Sequence, residues 1–311
     1  ADQPPGQREK HLNREIGGIL LNSKGEDLPR FYYNRATRIW IPYFFAVVLF
    51  YSVSTLKDPI DAVWLEYLFY DLTFTHNWFV PMLVDAGLAA PLEGTGNHFW
   101  SISVEEQFYL VAPLIIIFFR FGRSLAPWAA LAAFGLATGY YASVCVGVLL
   151  AVLRRDYGDW HEAAPARLAI AAAALATGAG LYLARGHYGL IAPVFSGAVV
   201  LLTAVRGERS RWGSFAGGIS YPFYLNHWIG IFVAHEVAQA LTMEGHPTMI
   251  ALGYVLNLGV ASALYIAIDQ QIQRRRGGYF TAGRGAMLAV IAYALIVAGV
   301  LGGVAMRFVL P

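Results

Sequence analysis

Residues 286–308 read AMLAVIAYALIVAGVLGGVAMRF, a stretch in which the only charge is Arg307, next to its end. About 20 apolar residues in a helix cross the ~30 Å hydrocarbon layer of a bilayer, so this run reads as a membrane-spanning helix. Applied outward along the chain, the same test finds eight more runs: 39–56, 63–84, 102–119, 125–153, 166–185, 188–205, 219–243 and 247–268. The expected fold is therefore all-α, a polytopic integral membrane protein with about nine transmembrane helices. Composition agrees. Hydrophobic side chains make up 57% of the chain and charged ones 14%, against about a quarter charged in soluble domains. The aromatic content and low charge exclude a disordered chain, and the single Cys145 excludes a disulfide scaffold. Ala1 to Arg14 lacks the apolar core of a cleavable signal peptide, so insertion is expected to rely on the internal helices.

Two runs are irregular. Residues 63–84 carry Glu66, Asp71 and His76 and are read as one polar, pore-facing helix. Residues 125–153, too long for one straight span and too short for two, are read as one tilted helix with an interfacial extension. With the N-terminus placed inside, nine crossings leave Lys57, Arg120, Arg123, Arg185 and Arg307 outside and the other 17 of the 22 Lys and Arg on the cytoplasmic side, as the positive-inside rule requires. No linker marks a second domain, so the chain divides into a polar N-terminal segment, 1–29, and a membrane-embedded part, 30–311. No internal repeat is evident, which disfavours transporters built from duplicated halves.

Three clusters of polar residues interrupt this apolar background. The first runs from His98 through Trp100, Ser101, Ser103, Glu105 and Glu106 to Leu110. Ser103 and Glu106 have the spacing of a capping box, which would make Glu106 a structural residue at a helix start. Glu105, about 100° round the helix, would then be free for another partner, and an ionisable group at the membrane edge is a functional candidate. The second cluster holds Tyr221, Tyr224, Asn226 and His227. Tyr224 and His227, three apart, share a helical face, and an aromatic interfacial belt competes with a functional imidazole. In the third, Arg35 and Arg38 also lie three apart. They read either as a positive-inside anchor or as a guanidinium site for a phosphate-bearing cytoplasmic donor. All three clusters fall on the cytoplasmic side of this topology.

Other features weigh less. His76 with Asp71 and Asn77 either lines the same cavity from the opposite leaflet or satisfies a neighbouring helix. Asp269 followed by Arg274, Arg275 and Arg276 reads as an ordinary helix end with its anchor. No Cys/His spacing suggests a metal, Cys145 reads as inert packing, no phosphate-loop glycine pattern appears, and nothing points to nucleic acid.

The stretch from His98 to Tyr109 closely resembles the Trp-Ser-Leu-x-x-Glu-Glu-x-Phe-Tyr signature of the acyltransferase-3 family of multipass membrane O-acyltransferases. Ile219 to Trp228 is similar to that family's late Ser-Tyr-x-x-Tyr-Leu-x-His motif, Phe31 to Pro42 to its Arg-x-x-Arg-Ile-x-Pro segment, and Val146 to Arg154 to its Leu-Gly-x-Leu-Leu-Ala segment. The first match is specific and the last weak on its own. The family's pattern places two helices before the Arg-x-x-Arg segment, the first with an Arg and, eleven positions later, the histidine regarded as catalytic. Here Arg8 plus eleven gives Ile19 and Arg14 plus eleven gives Gly25, and Gly17 to Ser23 resembles only the tail of the second of those helices.

The resemblance implies transfer of an acyl group, most often acetyl, from cytoplasmic acyl-CoA to a hydroxyl of a cell-envelope polysaccharide, lipid or small metabolite, in a bacterial-type inner membrane. Arg35 and Arg38 would hold the CoA phosphates. His227 and His98 are the alternative general bases, Glu105 or Glu106 would orient the imidazole, and Ser101, Tyr224 or Asn226 would donate to the oxyanion. No metal is expected in this chemistry. A transporter or flippase of an anionic lipid-linked substrate, and a catalytically silent membrane scaffold, are the readings from other classes.

Overall fold

A computed structural model describes residues 28–138, 141–205, 207, 210–243 and 245–309, and among these there is no strand. The N-terminal segment, apart from Leu28 and Pro29, and the residues Arg206 and Arg209 lie outside the described residues. Two compact units emerge: one comprises residues 28–107 and 210–309, the other residues between 108 and 207.

The first unit opens with α1 (Leu28–Ser54), which begins eleven residues before the apolar run and so carries Arg30, Arg35 and Arg38 within the helix. Its long buried face includes Tyr43, Ala46, Val47 and Phe50. Helices α9 (Arg211–Ala240) and α10 (Pro247–Leu264) pack face to face, and α12 (Ala282–Val304) packs on α1. The α9–α10 crossing is tight because two glycines meet there. A Cβ on Gly230 would lie 2.3 Å from the Gly253 carbonyl oxygen, and the Gly230 N–H donates to Asn257 Oδ1 across the crossing at 2.8 Å. Small residues at helix crossings in membranes serve this close approach. After α10 the chain winds through a π-helical turn, Tyr265–Asp269, into a short helix α11 (Gln270–Arg275).

The stretch 63–84 is not one helix. It forms α2 (Ala62–Leu72) and α3 (His76–Asp85), each about 15 Å long and thus half a bilayer core. Between them Phe74 takes a left-handed conformation, φ 55°. The backbone groups released by the break find side-chain partners: Tyr43 Oη donates to the Asp71 carbonyl at 2.9 Å and Gln107 Nε2 to the Phe74 carbonyl at 2.7 Å. Irregular backbone at membrane depth is stable only when so satisfied. The hairpin returns to where it began, since the Leu92 N–H after α3 donates to Asp58 Oδ2 before α2 at 2.8 Å.

That turn inverts the next helix relative to the expected topology. A 3₁₀ turn, Asn97–Phe99, leads into α4 (Trp100–Phe118). Phe99 packs edge-on against Phe50, late in α1, while Glu105 and Glu106 reach Arg35 and Trp40, early in it. Helix α4 therefore runs antiparallel to α1, and His98 lies deeper along it than Glu105, not at the Arg35 end.

In the second unit the run 125–153 is two helices, α5 (Leu125–Thr138) and α6 (Ala142–Tyr157), with Tyr141 left-handed at φ 55° before the second. They pack against each other as a hairpin, and the Arg155 guanidinium donates to the Arg123 carbonyl, which brings the outer ends of the pair together. Helices α7 (Ala164–Leu183) and α8 (Tyr188–Thr203) pack together, and α8 also packs on α6.

Among the described residues, five segments are by length and composition apolar enough to cross a membrane: Leu28–Ser54, Asn97–Phe118, Ala164–Leu183, Pro247–Tyr279 and Ala282–Phe308. Two shorter helices, α5 and α8, are apolar as well.

Candidate active site

The first unit gathers the three polar clusters along one side of α1, in an order set by helix geometry. At its early end, Arg35 Nη2 donates to Glu105 Oε2 at 3.3 Å, with Arg35 largely covered and Glu105 half exposed. Arg38, three residues on, is exposed. One turn deeper, Trp40 Nε1 donates to Glu106 Oε2 at 2.8 Å. The two adjacent carboxylates thus serve different partners, as their 100° separation requires. The capping-box reading is corrected here. Helix α4 starts at Trp100, so Ser103 and Glu106 lie within it. The Ser103 hydroxyl is buried with no hydrogen bond among the described residues, and Glu106 is buried against Trp40.

Tyr221 Oη donates to the Ile39 carbonyl at 3.2 Å and ties α9 to α1 at this level. One turn further along α9, Tyr224 Oη donates to the His98 carbonyl at 2.6 Å and is hydrogen-bonded to the Ser101 hydroxyl. Because the single phenolic proton is used on His98, Ser101 is the donor in that second bond.

The rings of His98 and His227 lie 4.5 Å apart, centroid to centroid. The two histidines differ in what their nitrogens face. His98 has a carbonyl at each, Thr95 at 3.2 Å from Nδ1 and Leu225 at 3.1 Å from Nε2, so neither nitrogen presents a lone pair outward. His227 has one, the Tyr224 carbonyl at 2.8 Å from Nδ1. That contact fixes the proton on Nδ1 and leaves the lone pair on Nε2. Neither glutamate bonds to either imidazole: both rings are oriented by backbone carbonyls. Asn226, fully buried, directs its amide N–H to the Pro222 carbonyl at 3.0 Å, the group of its own helix four residues back.

A fourth cluster lies near the far end of α1. Asp71 Oδ1 is 2.6 Å from His76 Nδ1, and its Oδ2 accepts from Tyr51 Oη at 2.7 Å. His76 Nε2 is 3.0 Å from Asn97 Oδ1. These four residues line a cavity of about 480 Å³ whose rim includes Asp58, Tyr67 and Glu93. Arg35 and Tyr51 are sixteen residues apart on α1, roughly 24 Å along its axis. A column of polar side chains therefore follows α1 from Arg35 and Glu105, past Ser101, Tyr224 and His227, to Asp71 and His76.

Sequence reasoning pointed to residues along this column, Arg35, Glu105, Ser101, Tyr224 and His227 among them, but not to its fasteners. Nothing in the sequence singles out Trp40, the donor to Glu106. Asp269 read as a helix end, yet it is buried in the π-helical turn with Oδ2 unbonded among the described residues. Such turns often mark functional positions.

The comparisons with known proteins bear on the same residues. A family model described as an acyltransferase domain, that of the acyltransferase-3 family, matches residues 16–266. No curated protein and no solved structure gives a match.

Proposed function

We propose, from the premise that the chain belongs to the acyltransferase-3 family and is a multi-pass membrane protein, that it moves an acyl group, in the simplest case acetyl, from cytoplasmic acyl-CoA to a hydroxyl of a cell-envelope glycan, lipid or small metabolite. The observation that carries this reading is the polar column along α1, with a guanidinium site at one end and a cavity at the other. Arg38 meets the CoA phosphates first, and Arg35, steadied by Glu105, completes the clamp. The acceptor approaches through the cavity rimmed by Asp58 and Glu93, whose negative charge suits a neutral polyol.

His227 is the base. Its Nε2 takes the acceptor proton as the oxygen attacks the thioester carbonyl. The C–S bond breaks, and the imidazolium returns that proton to the CoA thiolate. Ser101 and Tyr224, next to His227, are the donors for the tetrahedral oxyanion once they turn from their present partners. His98 positions the pair of rings, and Glu106 holds α4 on α1 through Trp40.

The chain crosses the inner membrane nine times, through α1, α4 to α10 and α12, with its N-terminal side in the cytoplasm. The crossings are not those expected from hydropathy: the α2–α3 hairpin drops out and the α5–α6 pair counts twice. Arg120 and Arg123 then join the cytoplasmic charges, and only Lys57, Arg185 and Arg307 of the 22 remain outside, a stronger bias than before.

The test is acceptor-dependent release of free CoA by the purified chain in nanodiscs, with acetyl-CoA and a panel of glycans and polyols. Release that requires a hydroxyl acceptor is the expected outcome. No release with any acceptor would overturn the reading in favour of transport of an anionic lipid-linked substrate or of a silent scaffold.

A further inference from the structure

The connection between α6 and α7, Gly158 to Ala163, places Asp159, His161 and Glu162 so that one ligand atom from each lies within 4.8 Å of the others. Three close groups of this kind are common without an ion, and what sets this one apart is an unmet bond. His161 is 1% exposed. Its Nε2 faces the Ala204 carbonyl at 2.9 Å, so Nε2 carries the proton and Nδ1 the lone pair. Among the described residues that Nδ1 is buried with no hydrogen-bond partner, and Glu162 Oε1 is buried and equally unpartnered. Two acceptors cannot satisfy each other, and buried polar atoms without partners are rare enough to need a cause.

We propose that Asp159, His161 and Glu162 form a binding site for a divalent transition-metal ion of the Zn²⁺ class. The donor set of one imidazole nitrogen and two carboxylates fits that class better than Mg²⁺ or Ca²⁺, which prefer oxygen alone. A histidine that donates its second N–H to a backbone carbonyl is the usual arrangement around a metal ligand, because it fixes the tautomer and aims the ring. Arg154, 3.0 Å from Asp159 Oδ1, plays the matching part for the carboxylate. Ligand atoms bound at ~2.1 Å around a tetrahedral ion lie about 3.4 Å apart, so the ion draws together any of the three that stand further apart than that. It thereby pins the α6–α7 connection to Ala204 at the end of α8. This site is independent of the transfer chemistry.

The experiment uses the full chain in nanodiscs, stripped with chelator and titrated with Zn²⁺ against a fluorescent competitor, with Co²⁺ absorption as a second readout. Two variants keep the packing. Glu162→Gln is isosteric, and His161→Gln places an amide N–H where Nε2 donates to Ala204 while deleting Nδ1. Expected is one Zn²⁺ per chain, bound at least tenfold more weakly by each variant, with the metal-free melting temperatures unchanged and the Co²⁺ spectrum altered. No retained Zn²⁺, or equal affinity in both variants, would overturn the proposal. Equal affinity of the intact chain for Mg²⁺ or Ca²⁺ would overturn the assigned class of ion.

Discussion

His227 and His98 lie ring to ring, yet their environments assign them different work, and this can be measured. Replacing His227 by Gln removes the only imidazole nitrogen of the pair with an outward lone pair. Acceptor-dependent CoA release is expected to fall by ~10²–10⁴-fold, the usual contribution of a general base. His98→Gln keeps one of two carbonyl contacts and is expected to retain at least tenfold more activity than His227→Gln. Equal losses in the two variants would contradict the assignment. Trp40 makes a second prediction at this scale. It supplies the hydrogen bond seen on the buried Glu106 carboxylate, whose other oxygen has none among the described residues. Trp40→Phe should destabilise the protein by about 1–3 kcal/mol in chemical denaturation, the cost of an unsatisfied buried polar group. Trp40→Phe and Glu106→Gln combined should cost less than the two losses added, because the two side chains form one interaction.

At the scale of helices, Gly230 decides whether α9 and α10 can touch. Any Cβ there meets the Gly253 backbone and Asn257, neither of which can retreat without parting the helices. Gly230→Ala is expected to cost about 1–3 kcal/mol, seen as a lowered thermal midpoint. Gly259→Ala, on the same α10 with open space at its Cβ, should leave the midpoint unchanged. None of this contact was visible in the sequence, where both glycines sit in apolar runs with nothing to show which pairs meet. Other features could be read. The Arg35, Glu105 and Tyr224 clusters stood out because polar groups are scarce in these helices, and the runs at 166–185, 188–205 and 286–308 match α7, α8 and α12 within a few residues at most ends. Hydropathy failed where side chains replace backbone bonding. An average over 63–84 cannot register that Gln107 and Tyr43, from elsewhere in the chain, cap a break at Phe74. The available signal is the polar set Glu66, Asp71 and His76, which in sequence reads equally well as one polar, pore-facing helix.

For the molecule as a whole, the two misread runs offset each other in the topology proposed above. In that proposed topology, treating α2–α3 as one crossing adds a span, treating α5–α6 as one removes a span, and every segment from 154 onward keeps its side. Only the chain between them then changes sides, which includes His98 and Arg123, so charge counting on distant loops cannot reveal the exchange. Single cysteines in a Cys145→Ala background can. Asp61 and Glu93 are exposed on the loops joined by the Asp58–Leu92 hydrogen bond, whereas a continuous helix over 63–84 would separate them by the full membrane. Asp61→Cys and Glu93→Cys should therefore both react with an impermeant maleimide added outside intact cells. Arg123→Cys and Arg155→Cys should both react only in inverted vesicles, since Arg155 reaches the Arg123 carbonyl. Labelling of Glu93→Cys from the cytoplasmic face alone would restore the continuous helix. It would also move the cavity beside His76 to the donor's side of the membrane, leaving the acceptor no separate route to His227.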